Sequence, residues 1–415
     1  MAASIRVLWD HSQLWGLLAC RGLAAVGADF SPVTCREVAE GALSRDAPRL
    51  LVVPGGFARL KHEALGHEGA RAVRDYVSGG GGYFGICGGA GLALSHADGL
   101  RLCSWTRRTF ADRLEHLVSG HVRLRLDPDS ALCPPSAPEG LSVPVWWPAG
   151  FAPPLGGVDP DVMVAATYVG PGKDLMLADV ALGAMDAARL AACRERFGLR
   201  LPPAFLDGGA CVLSGSFGQG RYVLSHAHLE TPDSPGANAW FGHILGLLTR
   251  EDHLGRAVPA WDPEAEPARF DDPHLAAARR VLARAVGAGL DARLLFRRNA
   301  WLLGWRPGMP GFSLSSLAGM LAGAAALPPS DAARDYWRQA GPQFAARLEG
   351  FVDRLLTFFP AQRLEITLSL VNGPKCPTTD LAAERQELFG SPPGGGGLCG
   401  ELAAMLDGLL LRLFS

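Results

Sequence analysis

The segment Gly82-Tyr83-Phe84-Gly85-Ile86-Cys87-Gly88-Gly89-Ala90-Gly91 sets a cysteine in a G-x-C-x-G frame. An apolar run that reads as a strand precedes it, and small residues that open a helix follow. This is the nucleophile-elbow pattern with cysteine in place of serine. An elbow folds its backbone tightly around the nucleophile, so side chains at Gly85 and Gly89 would collide. The following helix aims its N-terminal amides at the sulfur, which favours the nucleophilic thiolate over the thiol. A buried structural cysteine beside a glycine turn is the competing reading, since free cysteine is among the most buried residue types. The strand–elbow–helix context favours the nucleophile.

A cysteine nucleophile needs a base. In Tyr222-Val223-Leu224-Ser225-His226-Ala227-His228-Leu229-Glu230, His228 and Glu230 form an H-x-E pair. The imidazole can take the thiol proton, and the carboxylate can orient the ring and stabilise its charged form. His226 competes for the same role. Residues two apart on a strand share a face, so periodicity leaves both histidines open, and two surface histidines at a strand end is the bland alternative. An oxyanion also needs donors. Pro54-Gly55-Gly56 ends an apolar run, and the amides of Gly55 and Gly56 could join that of Gly88 around a tetrahedral intermediate. An ordinary strand-ending turn fits those glycines equally well. Asp10 and Ser12 follow another strand and either line the substrate crevice or cap the helix that starts near Gln13. Trp146 and Trp147 either wall a pocket or pack in the core.

The elements that must position these residues alternate. Strands are expected at 5–9, 49–53 and 83–86, with helices at 14–26, 69–77 and from Gly88, which suggests βαβ units and a parallel sheet. Looser strands follow at 122–126, 142–147, 162–167, 175–180, 210–214 and 222–225, with helices at 186–197 and 237–248. Residues 252–272 carry several prolines and acids. Beyond them the periodicity predicts helices at 275–286, 290–303, 314–325, 331–357 and 398–413. The expected organisation is therefore a domain over 1–250, a linker over 251–272 and an all-α domain of unassigned role over 273–415. Two domains also suit 415 residues, since one core rarely grows past about 250–300.

Net charge is −2, which gives no electrostatic case for nucleic acid or an anionic membrane as partner. The nine cysteines are scattered, with no C-x-x-C, so neither a disulfide framework nor a metal site is expected. Scattered thiols suit a reducing cytosol. The N-terminus lacks the basic start and long apolar stretch of a signal peptide, and no uncharged apolar run is long enough to span a membrane. A cytoplasmic chain is expected. Gly170-Pro171-Gly172-Lys173 is too short for a P-loop, and no cofactor is implied.

Three segments occur in order: Leu51-Val52-Val53-Pro54-Gly55-Gly56-Phe57, the stretch from Val77 through Cys87 to Ala90, and Gly220 through His228 to Glu230. With Pro144-Val145-Trp146-Trp147-Pro148-Ala149-Gly150-Phe151, they resemble the glutamine-amidotransferase-like domain at the N-terminus of eukaryotic biotin–protein ligases and in stand-alone bacterial proteins. The resemblance covers about residues 4–250. It implies an α/β fold of the class I glutamine amidotransferase type, with a flavodoxin-like, mostly parallel sheet, and a Cys87-His228-Glu230 triad. The family's H-P-E is H-L-E here, and its polar residues after Pro-Gly-Gly are replaced by Phe57-Ala58-Arg59-Leu60. Two functions follow as expectations. One is a cysteine-dependent hydrolase or amidotransferase acting on glutamine, another small amide or a peptide. The other is a non-catalytic module whose helical domain meets a protein partner. A third idea, an isomerase-like or chaperone-like protein, needs Asp10 beside Cys87.

Overall fold

The structure is a computed structural model that describes residues 3–108, 117–134, 140–156, 159–198, 206, 208–252, 257–306, 311–372, 379–391 and 395–415. The chain divides into two compact units, Met1–Ala260 and Trp261–Ser415.

The first unit opens with four strand–helix steps. Ile5–Leu8 (β1) leads to Leu14–Ala25 (α1), and Phe30–Val33 (β2) to the short helices Cys35–Ala39 (α2) and Ala42–Asp46 (α3). Leu50–Val53 (β3) leads to Ala58–Ser78 (α4), and Gly82–Ile86 (β4) to Gly88–Leu92 (α5). Every residue of β3 and β4 is buried, as befits strands covered on both faces. Thr34 starts α2 with a capping box, its hydroxyl accepting from the Glu37 amide while Glu37 reaches back. The long helix α4 is broken at Gly66, whose φ of 59° leaves the helical region.

The chain continues through Thr106–Arg108 (β5), Val118–Leu126 (β6), Leu141–Trp146 (β7), Gly150–Ala152 (β8), Val162–Pro171 (β9), Met176–Leu177 (β10), Val180–Ala181 (β11) and Ala187–Phe197 (α6). Ala210–Phe217 (β12) and Gly220–Ser225 (β13) form a hairpin, and Pro235–Thr249 (α7) follows. All thirteen strands join one sheet. Its parallel half runs β2-β1-β3-β4-β13, the 2-1-3-4-5 order of flavodoxin-like folds. From β12 outward the pairing is antiparallel. The strand expected at 175–180 is two short strands instead, because Ala178 between them turns with φ 51°. The fold is the expected α/β class, with an antiparallel arm added to the parallel core.

The second unit is helical: Pro273–Asp291 (α8), Gly311–Ala326 (α9), Asp331–Asn372 (α10), Thr379–Phe389 (α11) and Gly397–Phe414 (α12). The Asp272 carboxylate caps α8 by accepting from the amides of His274 and Leu275 at 2.9 and 3.0 Å. One expectation is corrected. Residues 290–303 do not form a helix, because α8 ends at Asp291 and Leu295–Arg297 (β14) pairs with Leu303–Trp305 (β15). The Asn299 side chain makes that turn, accepting from the amides of Trp301 and Leu302 at 3.1 and 2.7 Å. No described helix is long and apolar enough to cross a membrane.

Candidate active site

Cys87 sits between β4 and α5 with φ 50° and ψ −106°, a conformation that costs a non-glycine residue about 1–3 kcal/mol. Two hydrogen bonds fasten it there. Its amide donates to the Ser225 carbonyl at the end of β13 (2.7 Å), and its carbonyl accepts from Gly91 in α5 (2.9 Å). The flanking glycines are sterically required. A Cβ on Gly85 would lie 2.5 Å from the Gly89 oxygen, and one on Gly89 would lie 1.9 Å from the Val53 oxygen. Cys87 is only half-buried, whereas Cys20, Cys35, Cys103, Cys211 and Cys399 are buried.

β13 ends at Ser225, so His226 and His228 lie in a turn rather than on a strand. The Ser225 hydroxyl begins that turn, bonding both the amide and the carbonyl of Ala227. The two imidazoles therefore part company. The His226 amide donates to Cys211 and the His228 amide to Pro144.

His228 is wholly buried, and its Nδ1 lies 2.7 Å from Glu230 Oε1, also wholly buried. Its ring centroid is 4.2 Å from that of Trp15. Burial alone pulls the imidazole pKa down. The Glu230 carboxylate and the Cys87 sulfur outweigh it, and the value is pushed up to about 9. Its other nitrogen, Nε2, has no hydrogen-bond partner within the described residues, yet Cys87 is near enough to act on its charge. His226 has the opposite character. It stacks on Phe151 at 4.0 Å, and burial, with the charges of Arg107 and His228, holds its pKa down at about 3. One imidazole is thus protonated at neutral pH and the other neutral.

The Gly55-Gly56 turn is wedged against this group. A Cβ on Gly55 would lie 2.9 Å from both His228 Cε1 and Trp15 Cγ. Gly56 has φ 109°, and a Cβ there would lie 2.1 Å from the His11 oxygen. A Cβ on Gly88 would lie 1.9 Å from the Gly56 oxygen. The three glycines named from the sequence are therefore brought together beside Cys87 and His228. Trp146 also reaches the site. Its carbonyl lies 4.0 Å from Cys87 Sγ, and its ring lies 5.7 Å from Trp15. Trp147 follows with φ 49°, its amide donating to Val118.

The Ser12 backbone adjoins the Gly56 turn, its Cα 3.3 Å from where a Gly56 Cβ would lie, but the side chains of Asp10 and Ser12 are bonded to other groups. The Asp10 carboxylate accepts from the Cys35 amide at the start of α2 (2.6 Å), not from Cys87. The Ser12 hydroxyl is wholly buried and donates to the Leu8 carbonyl (3.1 Å). Neither caps α1, which has no side-chain cap. Both instead meet Lys61, a residue that sequence reasoning missed. Its wholly buried ammonium donates to the Asp10 carbonyl (2.7 Å) and to the Ser12 hydroxyl. Trp15 was also missed as a site residue, since within an apolar helix it reads as core. Among the described residues, no group of three or more His, Cys, Asp or Glu side chains could hold a metal ion.

Comparison with known proteins gives one family and several solved structures. No curated protein matches the sequence. A protein from Thermoplasma acidophilum described as a GMP synthase subunit is 14% identical, with a TM-score of 0.38, over 60% of this chain and 96% of its own. PurLQS from Thermotoga maritima is 17% identical, with a TM-score of 0.38, over 60% of this chain and 100% of its own. A ThuA-like protein from Bacteroides uniformis is 10% identical, with a TM-score of 0.38, over 61% and 94%. Residues 32–98, which include Gly55, Gly56, Cys87 and Gly88, match the family described as "Biotin-protein ligase, N terminal", so over that segment the resemblance read from the sequence is borne out.

Proposed function

We propose that this chain is a cysteine-dependent amide hydrolase or glutamine-amidotransferase-like enzyme with Cys87 as nucleophile, His228 as acid and base, and Glu230 as the group that orients His228. One observation carries the reading: a wholly buried imidazole is held by a wholly buried carboxylate at 2.7 Å, with the Gly55 turn packed against its Cε1 and the Gly56 carbonyl against Gly88 of the Cys87 elbow. A buried ion pair of this kind needs a reason to exist, because desolvating two charges is costly. Stabilising a thiolate is such a reason.

The chemistry follows from the proton inventory. Cys87 passes its thiol proton to His228 and attacks the amide carbonyl carbon as the thiolate. The carbonyl oxygen takes the electron pair, and the amides of Gly56 and Gly88 are the donors proposed for it. His228 passes its proton to the leaving nitrogen as the C–N bond breaks, leaving a thioester on Cys87. A water then attacks that thioester with its proton going to His228, which returns the thiolate–imidazolium pair and releases the acid. Glu230 keeps Nδ1–H in place throughout, so Nε2 faces the reaction.

A second reading, a binding module that keeps the fold, is favoured by Phe57-Ala58-Arg59-Leu60. This apolar-led run enters α4 without a side-chain cap, where the resembled family has polar residues. Iodoacetamide labelling at neutral pH, followed site by site with mass spectrometry, separates the two. The enzyme reading expects Cys87 to label at least tenfold faster than Cys133 or Cys193, and His228→Ala to abolish that advantage. Uniformly slow labelling would leave only the module.

A further inference from the structure

The second unit contains a cavity of about 610 Å³ between α8, α9 and the hairpin, within the roughly 300–1,000 Å³ range of small-molecule sites. Its walls are apolar and built mostly from small side chains: Ala283, Gly287 and Leu290 on α8, Ala318 and Ala322 on α9, with Trp301 from the hairpin turn. Gly287 marks the open space directly, since a Cβ built there meets no atom within 4 Å. The charged groups on the lining are unbalanced: Arg279, Arg280 and Arg297 stand against the single carboxylate of Glu264. Arg297 is paired with Glu264 at 3.0 Å, and Arg279 donates to the Pro263 carbonyl at 3.0 Å. Arg280 is exposed and makes no hydrogen bond or ion pair with any described residue. An apolar hollow with surplus guanidinium at its edge has two complementary requirements on a ligand: hydrocarbon to fill it and an anion to meet the fork.

We propose that this cavity binds a linear amphiphile of the fatty-acid class, with its alkyl chain against α8 and α9 and its carboxylate at Arg279 and Arg280. The site does not use Cys87, His228 or Glu230, so it stands or falls separately from the enzymology.

The test titrates the full chain with dodecanoate below its micelle concentration, read by Trp301-sensitive fluorescence and by calorimetry. 1-Dodecanol and dodecyltrimethylammonium serve as head-group controls. The expected result is saturable binding of one dodecanoate, with the cation at least tenfold weaker. Gly287→Leu, which fills the hollow, should weaken dodecanoate at least tenfold, and Arg280→Gln, on an exposed position, severalfold. Far-UV circular dichroism checks that each variant is folded. Should Gly287→Leu not fold, Arg280→Gln and the head-group series decide alone. Absence of saturation, equal affinity for cation and anion, or an affinity that ignores a folded Gly287→Leu and Arg280→Gln would overturn the proposal.

Discussion

The Trp15 ring lies 4.2 Å from the His228 imidazole, centroid to centroid, with 33° between the planes. Glu230 holds that imidazole by its edge, and Trp15 covers its face. On a protonated ring such contact adds a cation–π attraction of about 0.5–2 kcal/mol. Trp15→Leu should therefore slow Cys87 alkylation at neutral pH by about threefold to thirtyfold, with Trp15→Phe closer to wild type. An unchanged rate in Trp15→Leu would reduce the contact to packing.

Glu230→Gln removes the charge that most raises His228. The wild-type imidazole titrates at about 9, against 6.5 for a free histidine. A raised folded-state value means that the folded chain binds the proton more tightly. Its contribution to stability is complete below about pH 6.5 and is lost as the pH climbs through about 9. Denaturant unfolding at about pH 6 and about pH 9.5 should show this decline in wild type and a much smaller one in Glu230→Gln. Parallel declines in the two proteins would contradict the assignment.

His226 predicts the reverse at the acid end. Its folded-state value, about 3, lies below the ordinary 6.5. The unfolded chain then binds the extra proton, so stability is complete above about pH 6.5 and falls as the pH drops toward about 3. His226→Gln should flatten the difference in unfolding midpoint between about pH 7 and about pH 4, while leaving the alkaline decline governed by His228 in place.

Two glycines separate crowding from backbone strain. Gly89→Ala drives a Cβ to 1.9 Å from the Val53 oxygen and should cost at least about 3 kcal/mol. At Gly41, φ is 87° but a Cβ meets nothing within 4 Å, so Gly41→Ala should cost only about 1–2 kcal/mol. Urea midpoints measure both, and equal losses would refute the steric account of the elbow.

The elbow was legible because its constraint is local: Gly85, Cys87 and Gly89 occupy fixed offsets within one strand–helix turn. The histidine pair was half legible. The residue types announced base chemistry, but the choice between His226 and His228 depends on Phe151, Trp15, Pro144 and Cys211, which are distant in sequence. The step off the strand at Ser225 removed the period-two argument altogether. Lys61 left no signal, since a lysine in Arg59-Leu60-Lys61-His62-Glu63 reads as solvated helix surface until Ser12 and the Asp10 carbonyl fold over it. In the second unit, the apolar spacing of Leu290, Leu294 and Trp301 mimics one face of a helix. Asn299, whose side chain bonds two amides ahead of it, was the turn signal that outweighed it.

The pairing of β4 with β13 carries a consequence for assembly. Cys87 leaves β4 where β13 ends, and its own amide is bonded to Ser225. Contacts of such large sequence separation form late and slowly. During synthesis, a nascent chain that has not yet emerged past Ser225 offers β4 as an uncapped sheet margin, with the Cys87 amide still lacking its carbonyl partner. The backbone of the elbow is thus completed only when β13 closes the ladder.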